Sequence, residues 1–301
     1  LLLRFADRVG KGLRTSPRDA LLAGSVDPSV RGLAFGLHRA MDNAGAVVGP
    51  LFAALLLGLG WGLRDVFLFA IVPAVACLGL ALMLREPKPD GKRPKPTAFS
   101  WRLVGLPPAF RRYLVVLALF TLGNSSNMFL LLRARELGLP EAQVPLAWAA
   151  VSFIAMLFST PLSALSDRVG RVRLIVVGWV AYGSFYLGLG LLPPGTPLAL
   201  FGLFAFYGVF MAATEGVEKA LVADLAPPDL RGTAFGWFNL TAGLMLLPAS
   251  LLFGALYQGA GALATFAFSA ACALTAALLL PFWALRGASL VSGVTRCNGA
   301  P

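Results

Sequence analysis

Long apolar segments are the feature that most limits what this chain can fold into. Eight of them, bounded by glycine, proline or charged residues, lie at roughly 33–61, 65–84, 113–132, 143–165, 173–193, 197–222, 232–257 and 262–285. Segments of about 20 apolar residues are long enough to cross the hydrocarbon core of a bilayer. Because backbone groups in lipid must be hydrogen-bonded within the segment, each is predicted to be a helix and the chain an all-α, multi-pass integral membrane protein.

The composition argues against several other classes of protein. Of 301 residues, 58% are hydrophobic and 13% charged, whereas soluble domains carry roughly 25% charged residues. The net charge of +11 is also typical of nucleic-acid-binding proteins, but such proteins do not need repeated bilayer-length segments, so no nucleic-acid partner is expected. One histidine and three scattered cysteines do not predict a metal centre, and the sequence holds no GxxxxGK[ST] phosphate loop. No cofactor is therefore expected.

Basic residues predict the orientation of the chain in the membrane. Residues 85–112 form a linker with eight Lys or Arg and six Pro, and proline makes such a segment extended and semi-rigid. If this linker is cytoplasmic, Arg31, Arg231 and Arg286 fall on the same side, and the opposite connections hold few basic residues. Because basic residues are retained on the cytoplasmic side, the linker and the tail at 287–301 are predicted to be cytoplasmic.

A sequence repeat relates two parts of the chain. Residues 17–36 (PRDALLAGSVDPSVRGLAFG) and 217–236 (VEKALVADLAPPDLRGTAFG) are identical at nine of twenty positions without gaps. Parallel repeats of this kind build secondary transporters. About four helices, starting near residue 113, precede the second copy, so a matching arrangement would place roughly 90 further residues before Leu1. We therefore expect the chain to hold about helices 4–12 of a twelve-helix protein.

This reasoning predicts four parts. Residues 1–84 are expected to form a partial N-terminal bundle with the remnant of helix 4 and helices 5 and 6. Residues 85–112 are the linker, 113–286 a six-helix C-terminal bundle, and 287–301 the tail.

Three motifs resemble those of the major facilitator superfamily. The sequence LSDRVGRVR at 165–173 resembles the family's cytoplasmic loop signature, with Ser163 at the usual glycine and Val172 at a usually basic position. Arg8-Val-Gly-Lys-Gly12 loosely resembles the fourth-helix signature. The spacing of Gly36, Gly45 and Gly49-Pro50 resembles the antiporter motif of the fifth helix, although its closing glycine pair is Ala53-Ala54 here.

The resemblance implies a fold and a mode of action. The fold would be two pseudo-symmetric six-helix bundles with alternating access between them, in a bacterial inner membrane. Carriers of the fifth-helix motif are commonly exporters that exchange drugs or metabolites for protons. The resemblance also implies that Asp167 pairs with an arginine or a helix end of the other bundle in one access state. Asp167 and Arg168 are therefore expected to gate. Gly45 and Gly49, which allow close approach to a neighbouring helix, and Pro50, which stiffens or kinks the helix, are expected to take part in the conformational change.

Charged residues within apolar spans are costly to bury and are candidates for function. In helix 4, Arg8, Lys11 and Arg14 are candidates for a basic wall that attracts substrate, or for a structural ion network at the helix end. In helix 5, His38 and Asp42 share a face with the two glycines. Asp42 is a candidate proton carrier, unless Arg39 or a helix-4 cation holds it ionised.

Helix 10 carries the corresponding charges of the second repeat. Glu215 and Glu218 are further candidates for proton coupling, and Glu215 and Lys219 have the spacing to neutralise each other. Arg18-Asp19 aligns with Glu218-Lys219. We expect these charges to pair across the two halves in one access state.

Helix 7 contains a polar group within an apolar span. Asn124, Ser125 and Asn127 are candidates for hydrogen bonding to substrate. Interhelical hydrogen bonds would account for them equally well.

Together these features predict a secondary transporter and no enzyme. The main hypothesis is proton-coupled export of a small molecule at a site lined by helices 4, 5, 7 and 10. One alternative is a proton-coupled importer of an anionic nutrient, and another is a non-transporting membrane sensor or scaffold. The expected partners are the lipid bilayer, a small-molecule substrate and protons, and the sequence implies no oligomer.

Overall fold

The computed structural model describes residues 2–83, 103 and 105–286. Its helices are α1 Leu2–Ser25, α2 Arg31–Gly58, α3 Leu63–Phe69, α4 Ile71–Met83, α5 Pro108–Gly123, α6 Asn127–Glu136, α7 Val144–Val169, α8 Arg171–Leu191, α9 Pro197–Leu225 and α10 Arg231–Leu279. Short 3-10 helices lie at Pro28–Val30, Glu141–Gln143 and Pro228–Leu230, and a π-helical turn at Leu280–Ala284 follows α10. No strand occurs in these residues.

Each of the eight predicted spans is mainly helical in the described residues. Seven helical segments of the described chain are long and apolar enough to cross a membrane, and the longest, Pro228–Ala284, contains two of the predicted spans. These two meet at Gly261, whose φ of 82° is a left-handed conformation that favours glycine. The all-α membrane fold is therefore confirmed. In the twelve-helix count, α1 corresponds to helix 4, α2 to helix 5, α5 and α6 to helix 7, α9 to helix 10, and the first part of α10 to helix 11.

The prediction of one continuous helix over 113–132 is wrong, because the helix breaks between Gly123 and Asn127. The backbone N–H of Asn124 donates to the carbonyl of Thr121 at 2.9 Å, which tightens the last turn of α5. The Ser126 side chain then accepts a hydrogen bond from the N–H of Met128 at 3.4 Å and caps α6. Short polar side chains compete with helical hydrogen bonds in this way, whereas the pattern of apolar residues runs through the break.

The start of α5 also differs from the prediction. The helix begins at Pro108, so the last five residues assigned to the linker are helical. Proline is well suited to the first turn of a helix, where its missing N–H has no partner to lose. Residues 84–102, which include the first part of the predicted linker, lie outside the described residues, as does the predicted tail at 287–301.

Helices α5 and α7–α10 surround a core of large aromatic side chains. Trp179, Tyr182, Tyr186 and Phe185 of α8 are fully buried in it. Helix α2 packs on α7 and α9, and α1 packs on α10. Helix α3 packs against α2 and α4, and the apolar side chains of α3 and α4 are exposed, as suits contact with lipid.

The two copies of the repeat adopt the same local structure. Helix α1 ends at Ser25 and α9 at Leu225; a 3-10 turn follows in each copy, and α2 and α10 begin at Arg31 and Arg231. In the first copy Asp27 caps the turn, and hydrogen bonds from the Ser29 hydroxyl and N–H hold the pKa of that carboxyl below its ordinary value. The rings of Phe35 and Phe235, at equivalent positions, lie 6.0 Å apart, so the two copies face each other.

Helices α2, α7 and α9 approach one another closely at Gly36. A Cβ atom at Gly36 would lie 2.7 Å from the carbonyl oxygen of Ser159, and one at Gly216 would lie 3.1 Å from the backbone nitrogen of Gly36. Ser163, at the usual glycine of the loop signature, fills the remaining space with its fully buried side chain.

The close approach that was predicted at Gly45 and Gly49 does not occur in the described part of the chain. No described atom lies within 4 Å of the Cβ position at either residue. The reason is that α2 turns its first half towards α7 and α9, and its buried residues, apart from Leu56, all lie between Arg31 and Asn43. Pro50, in the same exposed half of α2, is likewise not at this contact.

A methyl group at the crossing is expected to destabilise the fold. Gly36→Ala places a Cβ against Ser159 and Ser163, and overpacking of this kind costs about 1–3 kcal/mol. Gly45→Ala is the matched control on the same helix and should be neutral or stabilising, since alanine is the better helix former by about 1 kcal/mol. Thermal unfolding in detergent micelles measures both. Equal effects of the two substitutions would contradict the assigned crossing.

Candidate functional site

Two buried arginines and two aspartates connect the start of α2 to α7, α8 and α9 at one end of the molecule. Arg31 at the start of α2 donates to Asp224 near the end of α9 at 2.7 Å. Arg171 at the start of α8 donates to the other oxygen of Asp224 at 3.0 Å and also binds Asp167 of α7. Arg31 is 5% exposed and Arg171 8%. Buried charges are tolerated when they are paired in this manner.

Asp167 also caps α2. Its two carboxylate oxygens accept hydrogen bonds from the N–H groups of Gly32 and Leu33, both at 2.9 Å. A carboxylate at a helix N-terminus satisfies free N–H groups and interacts favourably with the helix dipole. This is the helix-end contact that the resemblance implies, while the gating role stays a prediction. Arg168, the other gating candidate, is exposed.

Arg171, which lies in the LSDRVGRVR sequence, makes further contacts at this end of the molecule. It donates to Ser166 Oγ at 2.8 Å and to the Pro28 carbonyl at 3.4 Å in addition to its two aspartates. Arg171 of α8 therefore contacts α7, α9 and the turn that precedes α2.

The repeat produces a near-symmetric pair of contacts with one unequal member. Arg31 donates to the Ala223 carbonyl at 3.4 Å, and Arg231 donates to the Ala23 carbonyl at 3.5 Å. Asp224, which binds Arg31, is replaced by Gly24 in the other copy. Arg231 consequently has no carboxylate at the position that corresponds to Asp224, the partner of Arg31.

The charges expected to pair across the halves do so in part. Lys219 of α9 binds Asp19 of α1 at 2.9 Å, and the fully buried Asp19 also accepts from Arg18 at 3.1 Å. Glu218 accepts instead from Trp179 Nε1 at 2.9 Å. The suggested neutralisation of Glu215 by Lys219 is wrong.

Arg39 of α2 binds Glu215 through two of its nitrogens. It also lies 3.5 Å from Asp42, which is 3.7 Å from His38. The Asp42 side chain is 44% exposed, so the expectation of a buried carboxyl is not met in the described chain. The alternative, that Arg39 pairs with Asp42, is observed.

The helix-4 candidates lie apart from these contacts. Lys11 and Arg14 are exposed residues of α1. The side chain of Arg8 lies outside the described residues. The helix contributes Ser16 to its contact with α10, where Asn239 donates to the Ser16 hydroxyl at 3.1 Å.

A cavity of about 360 Å³ lies between α5, α6, α9 and α10. Its volume is within the range of small-molecule sites, which is roughly 300–1,000 Å³. The lining residues are Leu117, Phe120, Thr121, Asn124, Asn127, Tyr207, Phe210, Met211, Thr214, Glu215, Glu218, Phe238, Ala242, Gly243 and Leu246.

The polar residues of helix 7 contribute to this cavity through the helix break. Asn124 and Asn127 line it, and their side-chain oxygens accept hydrogen bonds from the hydroxyls of Tyr182 and Tyr207, each at 3.4 Å. Ser125 is buried behind the lining. The asparagines therefore face the cavity while bonded to other helices, which combines the two interpretations that the sequence left open.

The set of lining helices differs from the prediction. Helices 7 and 10 line the cavity as expected, but no described lining residue comes from helix 4 or helix 5. Helix 11 lines it instead, through Phe238, Ala242, Gly243 and Leu246. Helix 5 contacts a lining residue of the cavity through the Arg39–Glu215 ion pair.

Sequence reasoning missed four residues of these networks. They are Arg31, Arg171, Trp179 and Asp224. A signal for Asp224 was present, because it lies in the repeat at a position where the first copy has glycine. Trp179 gives no such signal, since an aromatic residue in an apolar span is ordinary.

Removal of the Asp224 charge should weaken the fold. In Asp224→Asn, the buried Arg31 loses its carboxylate partner and Arg171 keeps only Asp167. Loss of one partner from a buried ion pair costs about 3 kcal/mol or more. Asp229→Asn is the control, because Asp229 is exposed in the same connection. Surface changes of that kind stay within about 0.5 kcal/mol. Thermal unfolding compares them, and equal midpoints would refute the assignment.

Restoring the missing carboxylate should have the opposite effect. Gly24→Asp would supply Arg231 with the partner that Arg31 has, and no described atom lies within 4 Å of the Cβ position at Gly24. A partly exposed ion pair contributes about 1 kcal/mol or less. We expect a higher unfolding midpoint for Gly24→Asp than for Gly24→Asn, and no difference between them in an Arg231→Gln background. A rise that persists without Arg231 would contradict the pairing.

Known proteins are similar to this chain in sequence and in fold. The chain is 35% identical over 92% of its length to an uncharacterized MFS-type transporter, MJ1317, of Methanocaldococcus jannaschii. It is 25% identical over 77% of its length to the multidrug resistance protein MdtH of Proteus mirabilis. It spans 70% and 58% of the lengths of these relatives.

A solved structure and a family model point the same way. The human organic anion transporter MFSD10 (TETRAN) superposes with a TM-score of 0.65 at 20% identity, covering 88% of this chain and 67% of that one. The model of the Major Facilitator Superfamily matches residues 1–134 and again 114–294. With the repeat and the helix arrangement described above, these matches establish that the chain belongs to the Major Facilitator Superfamily.

Proposed function

We propose that the protein is a secondary active transporter that exports a small molecule in exchange for protons by alternating access. The observation that carries this proposal is the Arg39–Glu215 ion pair. Glu215 lines the cavity, and its partner lies on α2, which belongs to the other half of the fold. Occupancy of the cavity and contact between the halves thus depend on the same carboxylate.

The remaining ion pairs support alternating access. Arg31–Asp224 and Lys219–Asp19 also join the N-terminal helices to α9, and Asp167 caps α2 at the same end. Movement of the two halves apart at this end requires all of these contacts to break. By the distribution of basic residues, this end faces the cytoplasm, in a bacterial inner membrane.

Glu218 is our candidate for the proton carrier. It lines the cavity beside Glu215 and is bound by the neutral Trp179 indole, with no basic partner among the described residues. Asp42 and Glu215 differ from Glu218 in that both contact Arg39. A carboxyl without a basic partner, in reach of the cavity, can exchange its proton as the cavity is hydrated.

Two observations favour export over import of an anionic nutrient. Both charged residues among the described cavity lining are glutamates, and Lys11 and Arg14 of the predicted basic wall are not among them. The relatives include proteins named for multidrug resistance. The alternative of a sensor or scaffold has no comparable observation in its favour.

Transport in proteoliposomes tests the proposal. An imposed pH gradient should drive uptake of at least one dye from a panel of cationic, neutral and anionic fluorophores into vesicles that hold the protein inside-out. Glu218→Gln should abolish the dependence on the pH gradient, because glutamine carries no titratable proton. Glu141→Gln is the control, since Glu141 is exposed outside the cavity.

Three results would contradict parts of this proposal. Gradient-driven uptake that survives in Glu218→Gln would remove Glu218 as the proton carrier. Accumulation only in vesicles of the opposite orientation would indicate import. The absence of flux for every dye, with the protein correctly folded, would favour the sensor.

A further inference from the structure

The chemistry of the cavity indicates one class of occupant, on the assumption that the proposed transport function holds. Aromatic residues surround the two glutamates, with Phe120, Phe210 and Phe238 among them. Aromatic faces attract cations, and the attraction increases when water is excluded. Carboxylates and aromatic rings together suit a cation with apolar substituents.

The two carboxylates are not equally available to such a cation. Glu215 already binds the Arg39 guanidinium, which reaches it from α2 and is not a lining residue. Glu218 binds only the Trp179 indole among described residues. The ring of Phe120 stacks on Trp179 at a centroid distance of 4.6 Å and so fixes the indole beside Glu218.

Arg39 has a second acidic partner within reach. Its Nη1 atom lies 3.5 Å from Asp42 Oδ2, one turn along the same helix. If another cation takes Glu215, Arg39 can remain paired with Asp42 and no charge is left without a partner. A side chain with two alternative partners is able to exchange one for the other at low cost, whereas a stranded buried charge would prevent the exchange.

We infer that the cavity binds an amphiphilic organic cation, and that this cation replaces the Arg39 guanidinium at Glu215. Arg39 is thus an internal competitor of the substrate. When the cation binds, α2 loses its contact with Glu215 of α9, and one of the ion pairs that join the halves is released. Substrate binding thereby favours separation of the halves.

Binding of a matched pair of hydrophobic ions tests this inference. Tetraphenylphosphonium and tetraphenylborate have similar shapes and opposite charges, and equilibrium dialysis against the purified chain in detergent measures both. We expect the phosphonium to bind more tightly than the borate. Arg39→Gln should increase phosphonium affinity about tenfold, the change for a competing charge-assisted interaction of roughly 1.4 kcal/mol. Glu215→Gln and Glu218→Gln should each reduce it.

Three further variants separate competition from general damage. Asp42→Asn should lower phosphonium affinity, because the displaced Arg39 loses its alternative partner. Arg39→Lys keeps the charge and should leave affinity near that of the unchanged protein. Arg135→Gln is the control for a lost positive charge, since Arg135 is exposed and pairs with Glu141 away from the cavity. Size-exclusion profiles and unfolding midpoints establish that each variant is folded.

Reduced phosphonium affinity in folded Arg39→Gln would overturn the inference. So would borate binding that depends on Arg39, because it would make Arg39 a direct ligand for an anion. The binding series needs no proton gradient, so it can succeed while gradient-driven transport fails, which would refute only the proposed function. Gradient-driven transport that depends on Glu218, with no effect of Arg39 on binding, would refute only the competition.

Discussion

The arrangement of the whole molecule depends on a row of ion pairs along one helix. Glu215, Lys219 and Asp224 of α9 bind Arg39, Asp19 and Arg31, respectively. The signs alternate, so a shift of α2 along α9 by a turn would bring like charges together. Apolar packing between helices in a membrane does not fix their relative position so strictly, because lipid is as apolar as the side chains.

Such pairs suit a protein that changes between two states. Removal of two charges from water is costly, and their attraction compensates only when the geometry is good. The state in which these charges are paired and buried can therefore lie close in free energy to a state in which they are hydrated. When the halves separate, Arg31, Arg39 and their acidic partners can form hydrogen bonds with water. The side chains of a purely apolar interface could not.

The sequence allowed the membrane fold, the spans and the repeat to be predicted, because length and apolar composition determine whether a segment can cross a bilayer. Glu215, Glu218, Asn124 and Asn127 were candidates from the cost of polar groups in such spans, and all four line the cavity. The residues that these four contact could not be predicted from the sequence. Arg39 and Glu215 are 176 positions apart, and composition carries no information on how two helices turn towards each other.

The failures have the same origin. The helix break at Asn124–Ser126 results from local hydrogen bonds that an apolar pattern does not register. The glycine motif contains Gly36, Gly45 and Gly49, and of these three only Gly36 has described atoms within 4 Å of its Cβ position. Which of them lies at the crossing depends on tertiary packing. Similarly, helix 11 lines the cavity with apolar residues that do not differ from ordinary core residues.

The crossing at Gly36 divides α2 into two parts of unequal length. Five residues separate it from the helix start at Arg31, and 22 separate it from the end at Gly58, which are about 7.5 Å and 33 Å at 1.5 Å per residue. For a helix that turns as a rigid rod about this point, the far end moves about four times as far as the start. A displacement of 1 Å at the Arg31 contact would thus become a movement of about 4 Å at the opposite membrane surface.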